Sequence, residues 1–178
     1  RYYGSDPSIY QHMNFSGILA YKPRTPAAEN YTALAHFITV LNLTPEKNFV
    51  EEIEKVFDTD LFLRAYAVSV LSGNWDGIYN GNNYFLYLDP SDGLFKFFRQ
   101  DLDMSFGAGN STKYNFNERN IWTWTTKPTV GRGFMLPTRI LQQETYQRKF
   151  AYYINLLLSK YFSLTDASSL FKQRFDWM

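Results

Sequence analysis

The stretch from Gly73 to Gly107, GNWDGIYNGNNYFLYLDPSDGLFKFFRQDLDMSFG, constrains this chain more than any other. Residues 83–88 (NYFLYL) and 94–98 (LFKFF) are dense in aromatics and leucine, which is strand composition. Between them, Asp89-Pro90-Ser91-Asp92-Gly93 is turn chemistry: proline sets φ, and glycine accepts a positive φ. Strands joined by so short a turn fold back antiparallel. The residue before the first strand then lies beside the residue after the second. Asn83 is therefore predicted next to Asp101, with Asp76 close by in the preceding loop.

These residue types together suggest chemistry. Asp101-Leu102-Asp103 alternates, so an extended backbone would turn both carboxylates to one side. Two such charges repel unless a cation or protons lie between them. An amide oxygen, one or two carboxylates and a separate carboxylate suit Mg²⁺ plus a general base. Two plainer alternatives stay open on residue types alone. The loop holding Asn74, Asp76, Asn80, Asn82 and Asn83 could be a connector rich in turn formers, and Asp-x-Asp could be a solvated strand end.

The motifs narrow this. Asn74-Trp75-Asp76, then Asn83-Tyr84-Phe85-Leu86-Tyr87, then Asp101-Leu102-Asp103-Met104-Ser105-Phe106-Gly107 follow a helix in that order. Across residues 57–107 the chain closely resembles the core of the CotH kinase family, known from bacteria and fungi and named for a spore-coat protein. The resemblance is weaker upstream (LAYKP, residues 19–23) and in the C-terminal helices. It implies an α+β, protein-kinase-like fold, of which this chain holds the mainly helical C-terminal lobe with a catalytic β-hairpin. The N-terminal lobe would be largely missing, and residues 1–178 would form a single partial domain.

The resemblance also implies roles. Asp76 would orient and deprotonate the acceptor hydroxyl. Asn83, Asp101 and Asp103 would hold Mg²⁺ or Mn²⁺ on the phosphates of ATP, and the choice between Asp101 and Asp103 as direct ligand stays open. The acceptor would be serine or threonine of a secreted or coat protein, outside the cell or on its surface. In kinase folds the other lobe supplies a phosphate-covering loop and a lysine. No glycine-rich phosphate loop is present, and Lys22 is the candidate for the nucleotide cleft, against the alternative of a surface lysine after a short strand. Two other functions fit the same residues: a catalytically silent cell-surface adhesin or invasin of the CotH type, and a metal-dependent phosphohydrolase with water as acceptor. The self-repelling carboxylates favour an enzyme over a pure binder.

Composition bounds the rest. At 178 residues and 45% hydrophobic content the chain is one domain or part of one, with a substantial core. The net charge of +1 offers no argument for nucleic acid. No run of 18 apolar residues predicts a membrane span. The absence of cysteine excludes disulfides, thiolate metal sites and cysteine nucleophiles. A chain opening on Arg1 without a signal peptide reads as an excerpt of a longer protein. N-x-S/T sequons at Asn14, Asn30, Asn42 and Asn110, against about two expected by chance, hint at a secretory route.

Residues 1–30 read as loop, with one short strand across residues 15–21. His12 reads as a surface or packing residue, and His36 as packed within its helix. Helices are predicted at 31–42, carried by Leu34, Phe37, Ile38 and Leu41, and from Thr44-Pro45, with Thr44 as N-cap and Phe49, Val50, Ile53 and Val56 or Phe57 inward. The next helix, near 59–71 with Asp58 as cap, is apolar nearly all round and feeds directly into the Asp76 loop. Its one cation, Arg64, would pair with a carboxylate or carbonyl, or brace the acidic site. Under the kinase resemblance residues 108–133 take the place of an activation or substrate-docking segment, with Arg119, Lys127 or Arg132 meeting substrate phosphate or an acidic peptide; the alternative is a surface excursion pinned by Trp122 and Trp124. Helices follow at 136–143, at 144–161 with Tyr152, Ile154, Leu157, Leu158 and Tyr161 inward, and from 164 onward, capped by Thr165.

Overall fold

A computed structural model describes residues 2–15, 18–19, 21–25, 31–106, 120–124 and 135–161. It is α+β, with six helices and two small two-stranded sheets among the described residues. The chain forms two compact units, one from Arg1–Asp58 with Leu88–Lys96, the other from Thr59–Tyr87 with Phe97–Met178.

The first unit opens with α1 (Pro7–His12), which the loop reading of residues 1–30 missed. Its signal was present: Asp6 accepts a bond from the Ser8 amide at 2.9 Å and Pro7 fills the first turn. The single strand expected across 15–21 is instead a pair, β1 (Asn14–Phe15) and β2 (Ile18–Leu19), antiparallel with Phe15 opposite Ile18. So short a run carries too little periodicity to distinguish one strand from two. Next come α2 (Thr32–Leu43) and α3 (Glu46–Ile53). Pro45, not Thr44, is the N-cap of α3, while Thr44 closes α2 by donating its amide to the Val40 carbonyl. Phe37 stacks on Phe57 and leans on Phe95, and together with Phe49 and Ile53 these build the unit's core. His36 is exposed, not packed, and His12 is exposed with its ring on the Ser8 carbonyl.

The second unit centres on α4 (Thr59–Leu71), which buries Phe62, Leu63, Tyr66, Ala67 and Val70. Helix α5 (Met135–Leu141) packs on α6 (Glu144–Lys160), which lies along α4. The buried stripe of α6 is Tyr146, Phe150 and Ile154, at four-residue spacing, with the Phe150 ring against Tyr66. This corrects the expected stripe: Tyr152 is 61% exposed, and Leu158 and Tyr161 also face outward. A one-turn 3-10 helix at Ile121–Thr123 leads to Trp124, which is buried with its ring edge on Tyr79. Trp122 stays exposed, although its ring meets Phe150.

The hairpin has the predicted form. β3 (Tyr84–Leu88) pairs with β4 (Phe95–Arg99). The Gln100 amide donates to the Asn83 carbonyl at the base, and the Asp89 amide to the Leu94 carbonyl at the turn. At the turn Asp89 accepts from both the Ser91 amide and hydroxyl. At the base Phe97 packs its inward ring against Phe62 of α4 and Tyr84 of β3. Among the described residues no helix is long and apolar enough to cross a membrane.

Candidate functional site

Helix α4 ends so as to place the site. Gly73 takes φ 63°, a left-handed conformation that costs a residue with a Cβ. The Gly73 amide then returns to the Val70 carbonyl and the Asn74 amide to the Ser69 carbonyl, closing the last turn. The chain leaves the helix at a set angle, and Ile78 and Tyr79, both buried, pin the loop that follows. Asp76 lies between these anchors.

Asp76 is held by amides. Asn83 Nδ2 donates to its Oδ2 at 3.1 Å and to its backbone carbonyl at 2.9 Å. Asn80 and Asn82 donate to its Oδ1 at 3.3 and 3.5 Å. These donors fix the direction of the carboxylate. The asparagine-rich loop is thus a cradle for Asp76 as well as a set of turns. Asn83, expected as a ligand, spends its Nδ2 on Asp76, and Oδ1 is the atom it has to offer a cation.

Asp101 follows the hairpin base directly. The Asp103 charge, then slight desolvation, a hydrogen bond with Asp103 and the Asp76 charge, raise the pKa of this exposed carboxyl above the usual value. The predicted neighbourhood of Asn83, Asp76 and Asp101 therefore forms. The route differs from the extended geometry expected of Asp-x-Asp. Asp101 sits at φ 51°, and Asn83 at φ 54° and Phe106 at φ 54° are left-handed too. Asparagine and aspartate tolerate this region, whereas a bulky residue is strained there by about 1–3 kcal/mol. The Phe106 amide donates to the Ser72 carbonyl at 2.6 Å, satisfying one of the open carbonyls at the end of α4.

Asn74 has no exposed surface. Its Nδ2 donates to Ser105 Oγ at 3.0 Å and to the Met104 carbonyl at 3.4 Å. Its Oδ1 is buried with no hydrogen-bond partner among the described residues. Such an orphan acceptor costs about 1–3 kcal/mol. The sequence reading named Asn74 only as part of a motif, and its link to a residue 31 positions away was not visible there.

Arg64 is exposed and holds Asp60, with its Nε donating to the Tyr153 hydroxyl, so it fastens α4 to α6 and does not brace the acidic site. Lys22 is exposed on a loop of the first unit. Arg119, Lys127, Arg132, Gly107 and the helix expected from 164 onward lie outside the described residues, as do the Asn30 and Asn110 sequons. Asn42 donates its side-chain amide to the Ile38 carbonyl.

A divalent ion would draw on a spare donor set. Among the described residues no three carboxylates or imidazoles converge as a cage. That suits Mg²⁺ or Mn²⁺, which take one or two carboxylates and complete their shell with phosphate oxygens and water. The mutually repelling Asp101 and Asp103 would suit this role.

The sequence model of the family described as CotH kinase protein matches residues 6–173. The chain belongs to the CotH family. This CotH chain is 29% identical over 152 residues to Invasin CotH2 of Rhizopus delemar, covering 82% of this chain and 25% of that protein. Spore coat protein homolog 1 of the same organism is 31% identical over 120 residues, covering 66% of this chain and 19% of that protein. Inner spore coat protein H of Bacillus subtilis is 34% identical over 89 residues, covering 50% and 24%. The CotH chain thus spans a quarter or less of the length of these relatives.

Proposed function

We propose that this chain carries the base-bearing and metal-holding core of an ATP- and divalent-metal-dependent kinase, acting on serine or threonine of a secreted or coat protein. One observation carries the reading: an amide-cradled carboxylate, Asp76, beside a self-repelling pair, Asp101 and Asp103, at the base of the hairpin. Phosphoryl transfer asks little covalent chemistry of the protein and depends on positioning and charge neutralisation. The ion would neutralise phosphate charge. In this reading Asp76 orients the acceptor hydroxyl and receives its proton, and Asp101 and Asp103 with Asn83 hold the ion. Lys22 is the candidate contact for nucleotide phosphate. The names of the relatives, spore coat proteins and invasins, support an extracellular, coat or surface location.

Calorimetric titration of the full-length protein with ATP in Mg²⁺ or Mn²⁺ tests this. Wild type should bind, Asp101→Ala should lose binding, and Asp76→Asn should bind but transfer no phosphate. A folded wild type that binds no nucleotide would sink the reading.

A second reading, a surface adhesin that acts by binding, draws support from the three relatives named invasins. Host-cell attachment unchanged by Asp101→Ala and Asp76→Asn would favour it.

A further inference from the structure

Asn74 is buried, partly unsatisfied, and sits two residues before the proposed base. Its backbone is tied to α4 through the Ser69 carbonyl at 3.0 Å. Its side chain crosses to the segment that follows Asp103, donating to Ser105 Oγ and the Met104 carbonyl. A parallel tie, the Phe106 amide on the Ser72 carbonyl, joins the same two stretches. The opposite end of the amide presses on Gly77. A Cβ built there would stand 2.3 Å from Asn74 Oδ1. The amide cannot retreat from such a Cβ without breaking its bonds to Ser105 and Met104. Asn74 and Gly77 therefore fit only as a pair, and Asp76 lies between them in the chain.

We propose that Asn74 is a positioning residue that latches the metal-holding segment, Asp101 to Phe106, onto the loop bearing Asp76, with Gly77 kept free of a side chain to admit it. The inference rests on the kinase reading. An apolar residue of similar shape would fill the same space without leaving an acceptor unpaired. The amide instead donates to the segment and so sets where it lies. Partners that orient metal-holding groups in this way control affinity for the ion rather than the fold.

The experiment uses the full-length protein and Mn²⁺·ATP, with binding followed by calorimetry and stability by metal-free melting. Ser105→Ala removes only the hydroxyl that Asn74 reaches. It should raise the Kd for Mn²⁺·ATP by about tenfold with Tm near wild type, and Asn74→Ala should raise it at least as much. Ser105→Thr, which keeps the hydroxyl, should retain wild-type affinity. Gly77→Ala should weaken binding on its own but add nothing in the Asn74→Ala background, where its clash is gone. Wild-type affinity in both Ser105→Ala and folded Asn74→Ala, with only Tm lowered, would overturn the inference and leave Asn74 a structural residue. If wild type binds no Mn²⁺·ATP, the kinase reading fails and the latch falls with it. Wild-type binding with unaltered variants sinks the latch alone.

Discussion

At Asp101, an exposed residue, the neighbouring Asp103 carboxylate, reinforced by slight desolvation and by Asp76, favours the protonated acid. Its ordinary value is 3.8, and the folded value lies above it. Between the two, the folded chain binds more protons than the unfolded one. Stability therefore falls as pH rises through that window. A cation that takes the place of the proton should reverse the loss. Mn²⁺ is expected to raise Tm at pH 7, to do so less as pH falls toward 4, and to do little in Asp101→Asn. Equal Mn²⁺ stabilisation of wild type and Asp101→Asn at pH 7 would contradict this. Arg99, the last residue of β4 in the same hairpin, is the opposite case. Burial pushes its guanidinium down to about 10, and its Nη2 is buried with no hydrogen-bond partner among the described residues. It is still charged at neutral pH, so the fold carries a desolvated cation. Above about 10, until the unfolded guanidinium also titrates, the unfolded chain binds more protons, and stability rises with pH there. Arg99→Met should raise Tm at pH 7, with a gain that shrinks above pH 10. A lower Tm would mean that Arg99 holds an anion.

The elements divide into those read correctly along the chain and those whose facing depended on partners. The hairpin was legible because strand composition, a turn of fixed chemistry and a two-residue period agree locally. Helix α4 was legible because it is apolar nearly all round. Helix α6 was read correctly in extent and at Ile154, but not in the rest of its buried face. Aromatic and aliphatic residues occur on two of its faces, and only contact with α4 selects Tyr146, Phe150 and Ile154 over Tyr152, Leu158 and Tyr161. Phe150 is fully buried and touches Tyr66 and Trp122. Phe150→Ala should cost about 3–5 kcal/mol in denaturant unfolding, whereas Tyr152→Ala should cost little. Comparable losses would show that the outward face is covered in solution.

For the molecule as a whole, charge speaks to partners. A net charge of +1 gives no broad positive field to attract a polyanion. Fluorescence anisotropy with labelled single- or double-stranded oligonucleotides should show no binding near physiological salt. Salt-sensitive binding in the micromolar range would overturn that exclusion. The CotH match runs from residue 6 to 173 and so includes stretches of both compact units. The acidic site, by contrast, is assembled within the second unit alone.

What the sequence determined by itself is what short-range patterns encode: the hairpin and its turn, the helix that delivers Asp76, the family motifs, and the expectation that Asn83 and Asp101 meet. Those follow from the strand period and from chain reversal, which need no knowledge of distant residues. The tertiary structure alone decided how the site is held. It placed Asp101 in a left-handed conformation, not the extended one that alternation suggested. It turned Arg64 to Asp60 and Tyr153, the latter 89 positions away. It buried Asn74 between Gly77 and Ser105. The Tyr153 and Ser105 contacts join stretches far apart in the chain, and such contacts are selected by packing and by the demand that buried polar groups find partners, which no local pattern records.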